Sequence, residues 1–142
     1  MNHHLEITIY GNPIAKKRPR FFRRGNHVGT YNDQTTEEGR FLLATMAQLE
    51  SVRHLLPIPK GAPVELLCWF EMPIPKTLEK KFAKGSGDIR HTKKPDLDNL
   101  VKFVKDCLNK QVWHDDSQVV FLRGVKYYGH DPKTTLEIKW IA

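Results

Sequence analysis

Residues 95–110 read PDLDNLVKFVKDCLNK, and the reading of this stretch decides the fold. Leu97, Leu100, Val101, Val104 and Leu108 recur at spacings of 3, 1, 3 and 4, which is one face of an α-helix. A proline and two aspartates ahead of them suit a helix N-terminus, where negative charge meets the positive end of the dipole. Next come VWHDDSQVVFLRGVKYYG (112–129) and TTLEIKWI (134–141), strand-like runs joined by Gly129-His130-Asp131-Pro132. That turn signal predicts a terminal antiparallel hairpin. On the other side lies GSGDIRHTKKP (85–95), polar and glycine-bearing, an expected exposed loop; residues 74–84 suit a short basic helix. VELLCWFEM (64–72), rich in branched and aromatic residues, reads as a buried strand.

Towards the N-terminus, Pro57, Pro59, Gly61 and Pro63 punctuate the chain. Before them Phe41, Leu42, Thr45, Met46 and Leu49 recur at helical spacing up to about Val52, with Thr35 or Thr36 as the expected cap. Leu5, Ile7 and Ile9 alternate with Glu6, Thr8 and Tyr10, the period of a half-buried strand. Between them NPIAKKRPRFFRR (12–24) is a proline-bearing basic loop, leading through Gly25-Asn26 into HVGTY, a hairpin-like excursion. Two main helices and about four core strands in mixed order predict an α+β single domain over residues 1–142. Its sheet is expected to be mixed and mostly antiparallel, rather than doubly wound.

The chain has 142 residues, and 23 Lys plus Arg against 16 Asp plus Glu give a net charge of +7. This raises the expectation of a polyanionic partner. The longest nearly apolar stretch, residues 64–70, contains Glu65 and is too short to span a bilayer, and the N-terminus lacks the pattern of a secretory signal. No membrane association is expected, and the default compartment is the cytoplasm. Cys68 and Cys107 form no CxxC and read as reduced core residues. The seven histidines show no HExxH, and there is no phosphate-binding GxxxxGK[ST] loop or GxSxG elbow. An EF-hand is excluded, because Leu100 and Val101 stand where its fifth-position oxygen ligand and its glycine belong.

The informative residues are acidic. Asp96 and Asp98 stand at a loop-to-helix junction, where extended backbone at i and i+2 would point both carboxylates one way. Capping and dipole compensation are the bland alternative. Asp98 and Lys102, four apart, share a helix face as a surface ion pair or as part of a site. Asp115 and Asp116 alone would read as a polar turn. Together these carboxylates are the oxygen set that magnesium prefers, with substrate phosphate completing the shell.

Three blocks in order, GNPIAKKRPR (11–20), KPDLDNLVKFVKDCLN (94–109) and DDSQVV (115–120), resemble the RusA family of Holliday-junction resolvases and span most of the chain. The resemblance implies a homodimeric, magnesium-dependent endonuclease, with manganese as a substitute ion, that cuts four-way DNA junctions by paired nicks. It aligns Asp96, Asp98 and Asp116 with the essential metal-binding carboxylates, Lys102 with the catalytic lysine and Asp115 with the neighbouring acid. The connection from Asp98 to the Asp pair is slightly shorter than in the family pattern, and of the two Asp116 is the favoured inner ligand. No small-molecule cofactor is implied.

Lys16, Lys17, Arg18, Arg20, Arg23 and Arg24, together with Arg90, Lys93 and Lys94, are the expected phosphate contacts. Singly, each reads nearly as well as solvated surface charge. Phe21 and Phe22 suit either stacking on exposed bases or cover for the core. Tyr127, Tyr128 and Trp140 are candidates for a dimer interface, with core packing as their alternative. The competing functions are a non-catalytic nucleic-acid-binding protein and a nuclease for flap or fork DNA.

Overall fold

The structure is a computed structural model that describes residues 2–83 and 89–141. Its centre is β4 (Val64–Pro73), in which Val64, Leu66, Cys68, Phe70 and Met72 are buried and the intervening side chains are not. A strand with a fully dry face excludes most water when flanked on both edges, and β4 is so placed. The sheet order is β1-β6-β4-β5, from β1 (Asn2–Tyr10), β6 (Lys133–Ile141) and β5 (Val119–Gly129). β6 is antiparallel to both its neighbours, with Ile138 opposite Leu5 on one side and Leu66 on the other. β5 runs parallel to β4 and sets Gly124 opposite Cys68. The sheet is therefore mixed and mostly antiparallel, as expected.

The terminal hairpin is a correction. β5 and β6 are consecutive in sequence, but β4 lies between them. The short connection crosses the end of β4, where the Asp131 N–H donates to Glu71 Oε2 at 2.7 Å and Lys133 Nζ lies 3.8 Å from Glu71 Oε1. Gly129 sits against the Glu71 side chain, and any Cβ there would collide with it. The physical reason is α3 (Leu97–Leu108), which returns the chain from β4 to β5 as a crossover and so makes these two strands parallel neighbours. The run from Val112 is also not strand throughout: residues 112–118 are turn, ending in a single 3-10 turn, Asp116–Gln118.

Both long helices cover one sheet face. α3 buries Leu100, Val101, Phe103, Val104, Cys107 and Leu108, while α1 (Thr35–Gln48) contributes Phe41 and Thr45. Phe41 meets Phe103 edge-on at 5.5 Å. Each such fully buried large side chain stabilises the fold by about 1.5–3 kcal/mol. α1 ends at Gln48, earlier than expected, and a 3-10 turn (Glu50–Leu55) carries the chain on. Neither threonine caps it. Gln34 occupies the N-cap, and its buried side chain accepts from the Lys17 N–H at 2.7 Å and donates to the Ala15 carbonyl at 2.8 Å. A short α2 (Glu79–Ala83) follows β4, matching the expected basic helix. Of the loop expected at 85–95, residues 85–88 lie outside the described residues.

The expected excursion is a separate two-stranded sheet, β2 (Arg20–Arg24) against β3 (His27–Tyr31). Cys68 and Cys107 are buried free thiols, pushed by burial up to about 12, consistent with their reading as reduced core residues. Tyr128 and Trp140 are buried and Tyr127 is half-buried, so two of the three interface candidates belong to the core. Exposed large apolar residues lie instead at Val120, Phe121 and Leu122 on β5. No described helix is long and apolar enough to cross a membrane.

Candidate active site

α3 begins immediately after Asp96, which takes the N-cap position with extended backbone (φ −68°, ψ 145°) and makes no side-chain cap hydrogen bond. Asp98 is already in the first helical turn. The extended i, i+2 geometry expected for this pair is therefore absent, because the apolar stripe starts the helix at Leu97 and turns Asp98 with it. Asp98, Lys102 and Asp106 then follow at intervals of four along one face.

That face forms one wall of a cleft of about 710 Å³ between α3 and β5, lined by Leu97, Asp98, Val101, Lys102, Lys105, Asp106, Asp116, Leu122 and Gly124. Gly124 allows the close approach of the two walls: a Cβ on it would stand 3.3 Å from both Leu97 Cδ1 and Val101 Cγ2. The cleft thus holds three predicted residues, Asp98, Lys102 and Asp116. Asp96 is exposed beside the helix N-terminus and is not among the lining residues.

The two adjacent aspartates part company. Asp115 closes a capping box: its Oδ2 accepts from the Ser117 N–H at 2.9 Å while its own N–H donates to Gln118 Oε1 at 3.0 Å. Those Ser117 bonds hold its carboxyl below the usual range. It lines a different cavity, with Lys60 and His114. Asp116 turns the other way, and its Oδ1 accepts from the indole N–H of the fully buried Trp113 at 2.8 Å. Trp113 was not legible as a site residue, since a buried tryptophan in a sequence signals only core. Asp106 was missed although its interval of four from Lys102 was readable.

The donors around the cleft are all hard carboxylate oxygens, the kind magnesium takes. Among the described residues no group of three His, Cys, Asp or Glu converges as a ready-made cage. That is compatible with magnesium, which keeps several waters and binds through one or two carboxylates plus substrate phosphate.

The cations divide as well. Lys16 is half-buried and reaches Glu38 Oε1 at 2.7 Å and Asp106 Oδ2 at 3.2 Å, while its N–H donates to the Asn99 carbonyl at 2.9 Å. It clasps the basic loop to α1 and α3 and is engaged within the protein. Burial alone would lower its pKa, but the Glu38 and Asp106 carboxylates outweigh that and hold it raised. Lys17 is exposed, 3.8 Å from Glu37, and Arg20 pairs with Asp33 at 2.6 Å. Arg18, Arg23 and Arg24 are exposed. Lys93 and Lys94 are exposed on a loop whose carbonyls at 93 and 95 accept from Lys126 Nζ at 2.6 and 2.7 Å. Arg90 is separated from them, lining a cavity with Trp69, Glu71 and Arg123. Strand alternation puts Arg123 on the sheet face opposite to Leu122 and Gly124, and so opposite to the acidic cleft.

Compared with known proteins, residues 10–139 match the family described as endodeoxyribonuclease RusA. The chain is also similar to a Bacillus subtilis (strain 168) protein described as uncharacterized protein YqaN, with 32% identity over 142 residues, covering 97% of each chain.

Proposed function

The chain belongs to the endodeoxyribonuclease RusA family, and we propose that it is a divalent-metal-dependent endonuclease that resolves four-way DNA junctions. The observation that carries this reading is the cleft between α3 and β5 that Asp98, Lys102 and Asp116 line together. Asp98 and Asp116 would hold magnesium, with Asp96 at the helix N-terminus as a further oxygen donor, while Asp106 is engaged by Lys16. When bound, the ion would supply charge neutralisation at the phosphate and an activated water.

The chain's own groups prepare the rest. The Trp113 N–H fixes the orientation of Asp116, leaving Oδ2 without an intramolecular partner among the described residues. Lys102 is exposed on the wall beside Asp98 and has no ion-pair partner among the described residues. Its ammonium is thus free to meet the charge that develops on a phosphate in the cleft. The apolar Leu97, Val101 and Leu122 line the rest of the cleft and bring no further charge against the phosphate.

Four-way junctions require two cuts, and a chain with one such cleft supplies one. Paired nicking therefore calls for a C2 homodimer, for which the exposed Val120 and Phe121 of the edge strand β5 are better suited than the buried Tyr128 and Trp140. The test is cleavage of a four-way junction, a flap and a fork, each with and without magnesium. Junction cuts that need the ion support the reading. Saturable DNA binding without cleavage would favour the non-catalytic alternative, and preference for flap or fork would move the substrate.

A further inference from the structure

The β2–β3 ribbon makes no use of its own apolar residues on one side. Every β2 side chain is exposed, and in β3 only Gly29 is half-buried. The cross-strand register pairs Arg20 with Tyr31, Phe22 with Gly29 and Arg24 with His27 on one face, and Phe21 with Thr30 and Arg23 with Val28 on the other. The first face stabilises the ribbon. The end of the Phe22 ring sits over Gly29, where a Cβ would collide with it, and the ring has His27 and Tyr31 at 6.0 and 6.3 Å. Arg20 ties the base of the ribbon to Asp33. A two-stranded ribbon is marginal alone, so this side accounts for its persistence.

The second face has no such internal purpose. Phe21 is 76% exposed and Val28 60%. Its surroundings select the partner: of the six Lys and Arg between 16 and 24, Lys16, Lys17 and Arg20 meet carboxylates from the neighbouring segments, while Arg18, Arg23 and Arg24 are exposed beside it and residues 12–31 contain no Asp or Glu. Exposed cations beside an apolar face repel a basic partner, gain nothing from a neutral one and attract a polyanion, so charge complementarity points to nucleic acid. A phenyl ring gains from a nucleobase only by stacking, and the bases of an intact duplex are already stacked on each other. The suitable ligand has unstacked bases.

We propose that the Phe21 face of the β2–β3 ribbon is a stacking probe for an unstacked base at the branch point of junction DNA, with Arg23 of the same face on a flanking phosphate. This rests on the proposed DNA substrate and adds the part of it that the ribbon reads. The test compares wild type and Phe21→Ala for binding to a four-way junction, to single strands and to plain duplex, with calcium replacing magnesium to suppress cleavage. Phe21 is largely exposed, so the variant keeps its fold, which far-UV circular dichroism checks. Expected is an affinity loss of about 5- to 100-fold for junction and single strand, with duplex affinity unchanged. Phe21→Trp should restore it, and a 2-aminopurine at the branch point should change its fluorescence on binding wild type but not Phe21→Ala. Equal losses on all three DNAs, or no loss where wild type binds the junction, would overturn the stacking role and leave the nuclease reading intact. So would sedimentation showing that Phe21→Ala only dissociates a dimer. Failure of wild type to bind any DNA would overturn both.

Discussion

Replacing Trp113 with phenylalanine is expected to unsettle the cleft from inside the core. The indole N–H donates to Asp116 Oδ1 at 2.8 Å, and Trp113 is fully buried while Asp116 is half-buried. A hydrogen bond to a charged group contributes about 1.5–3 kcal/mol, and because Asp116 can partly re-solvate the lower end applies, about 1.5 kcal/mol. The smaller ring leaves a cavity of about 40 Å³, which at about 24 cal/mol per Å³ adds about 1 kcal/mol. The sum, about 2.5 kcal/mol, leaves a typical domain of 5–15 kcal/mol folded and lowers its Tm by about 10 °C. Urea unfolding of wild type, Trp113→Phe, Asp116→Ala and the double variant isolates the hydrogen bond as a coupling of about 1.5 kcal/mol. Junction cleavage measured where all are folded should fall with Trp113→Phe, since a loose carboxylate orients its ligand less well. Additivity within about 0.3 kcal/mol, with cleavage unchanged, would refute the claim that Trp113 holds Asp116.

Asp96→Asn, Asp98→Asn and Asp116→Asn should each abolish magnesium-dependent junction cleavage while binding survives or tightens, whereas Asp115→Asn should retain cleavage and melt like wild type, because asparagine caps a helical turn as well as aspartate does; gel assays and thermal melts check both. Lys102→Ala should depress the single-turnover cleavage rate far more than junction affinity or Tm, and matched losses would make it a phosphate clamp. Lys16→Met should cost about 2 kcal/mol, between the values for exposed and fully buried pairs, in chemical denaturation. The clasp also has a pH window. Glu38 is depressed in the fold, against burial that would raise it, by bonds from Lys16 and Asn32, so its contribution is complete above its ordinary 4.5 and is lost as pH falls through the lower folded value. Lys16 is raised, so its contribution is complete below its ordinary 10.5 and is lost as pH rises through the higher folded value. Wild type and Lys16→Met should therefore converge in stability at both extremes of a pH series. Cys68 and Cys107, protonated and buried, should resist alkylation in the native state and react after denaturation.

Periodicity by itself determined the parts of this protein that depend on local sterics. The stripe of Leu97, Leu100, Val101, Val104 and Leu108 yields α3, and the alternation of Leu5, Ile7 and Ile9 yields half of β1, because a helix or strand presents one face at a spacing written in adjacent residues. The order of three motif blocks likewise carried the family. Only the tertiary structure decided which neighbours those elements acquired. Nothing local shows that β4 separates β5 from β6, since that follows from the crossover through α3 and from the gain in burying the driest strand between two others. Nothing local distinguishes Asp115 from Asp116, two like residues in one turn. A capping box takes the first and the indole of the buried Trp113, whose backbone is bridged to the distant Ile58, takes the second into the cleft. The basic run looked uniform for the same reason. Lys16 differs from Arg18 only because the loop folds it against Glu38 and Asp106, 22 and 90 residues away, where exclusion of water makes ion pairing stronger than hydration.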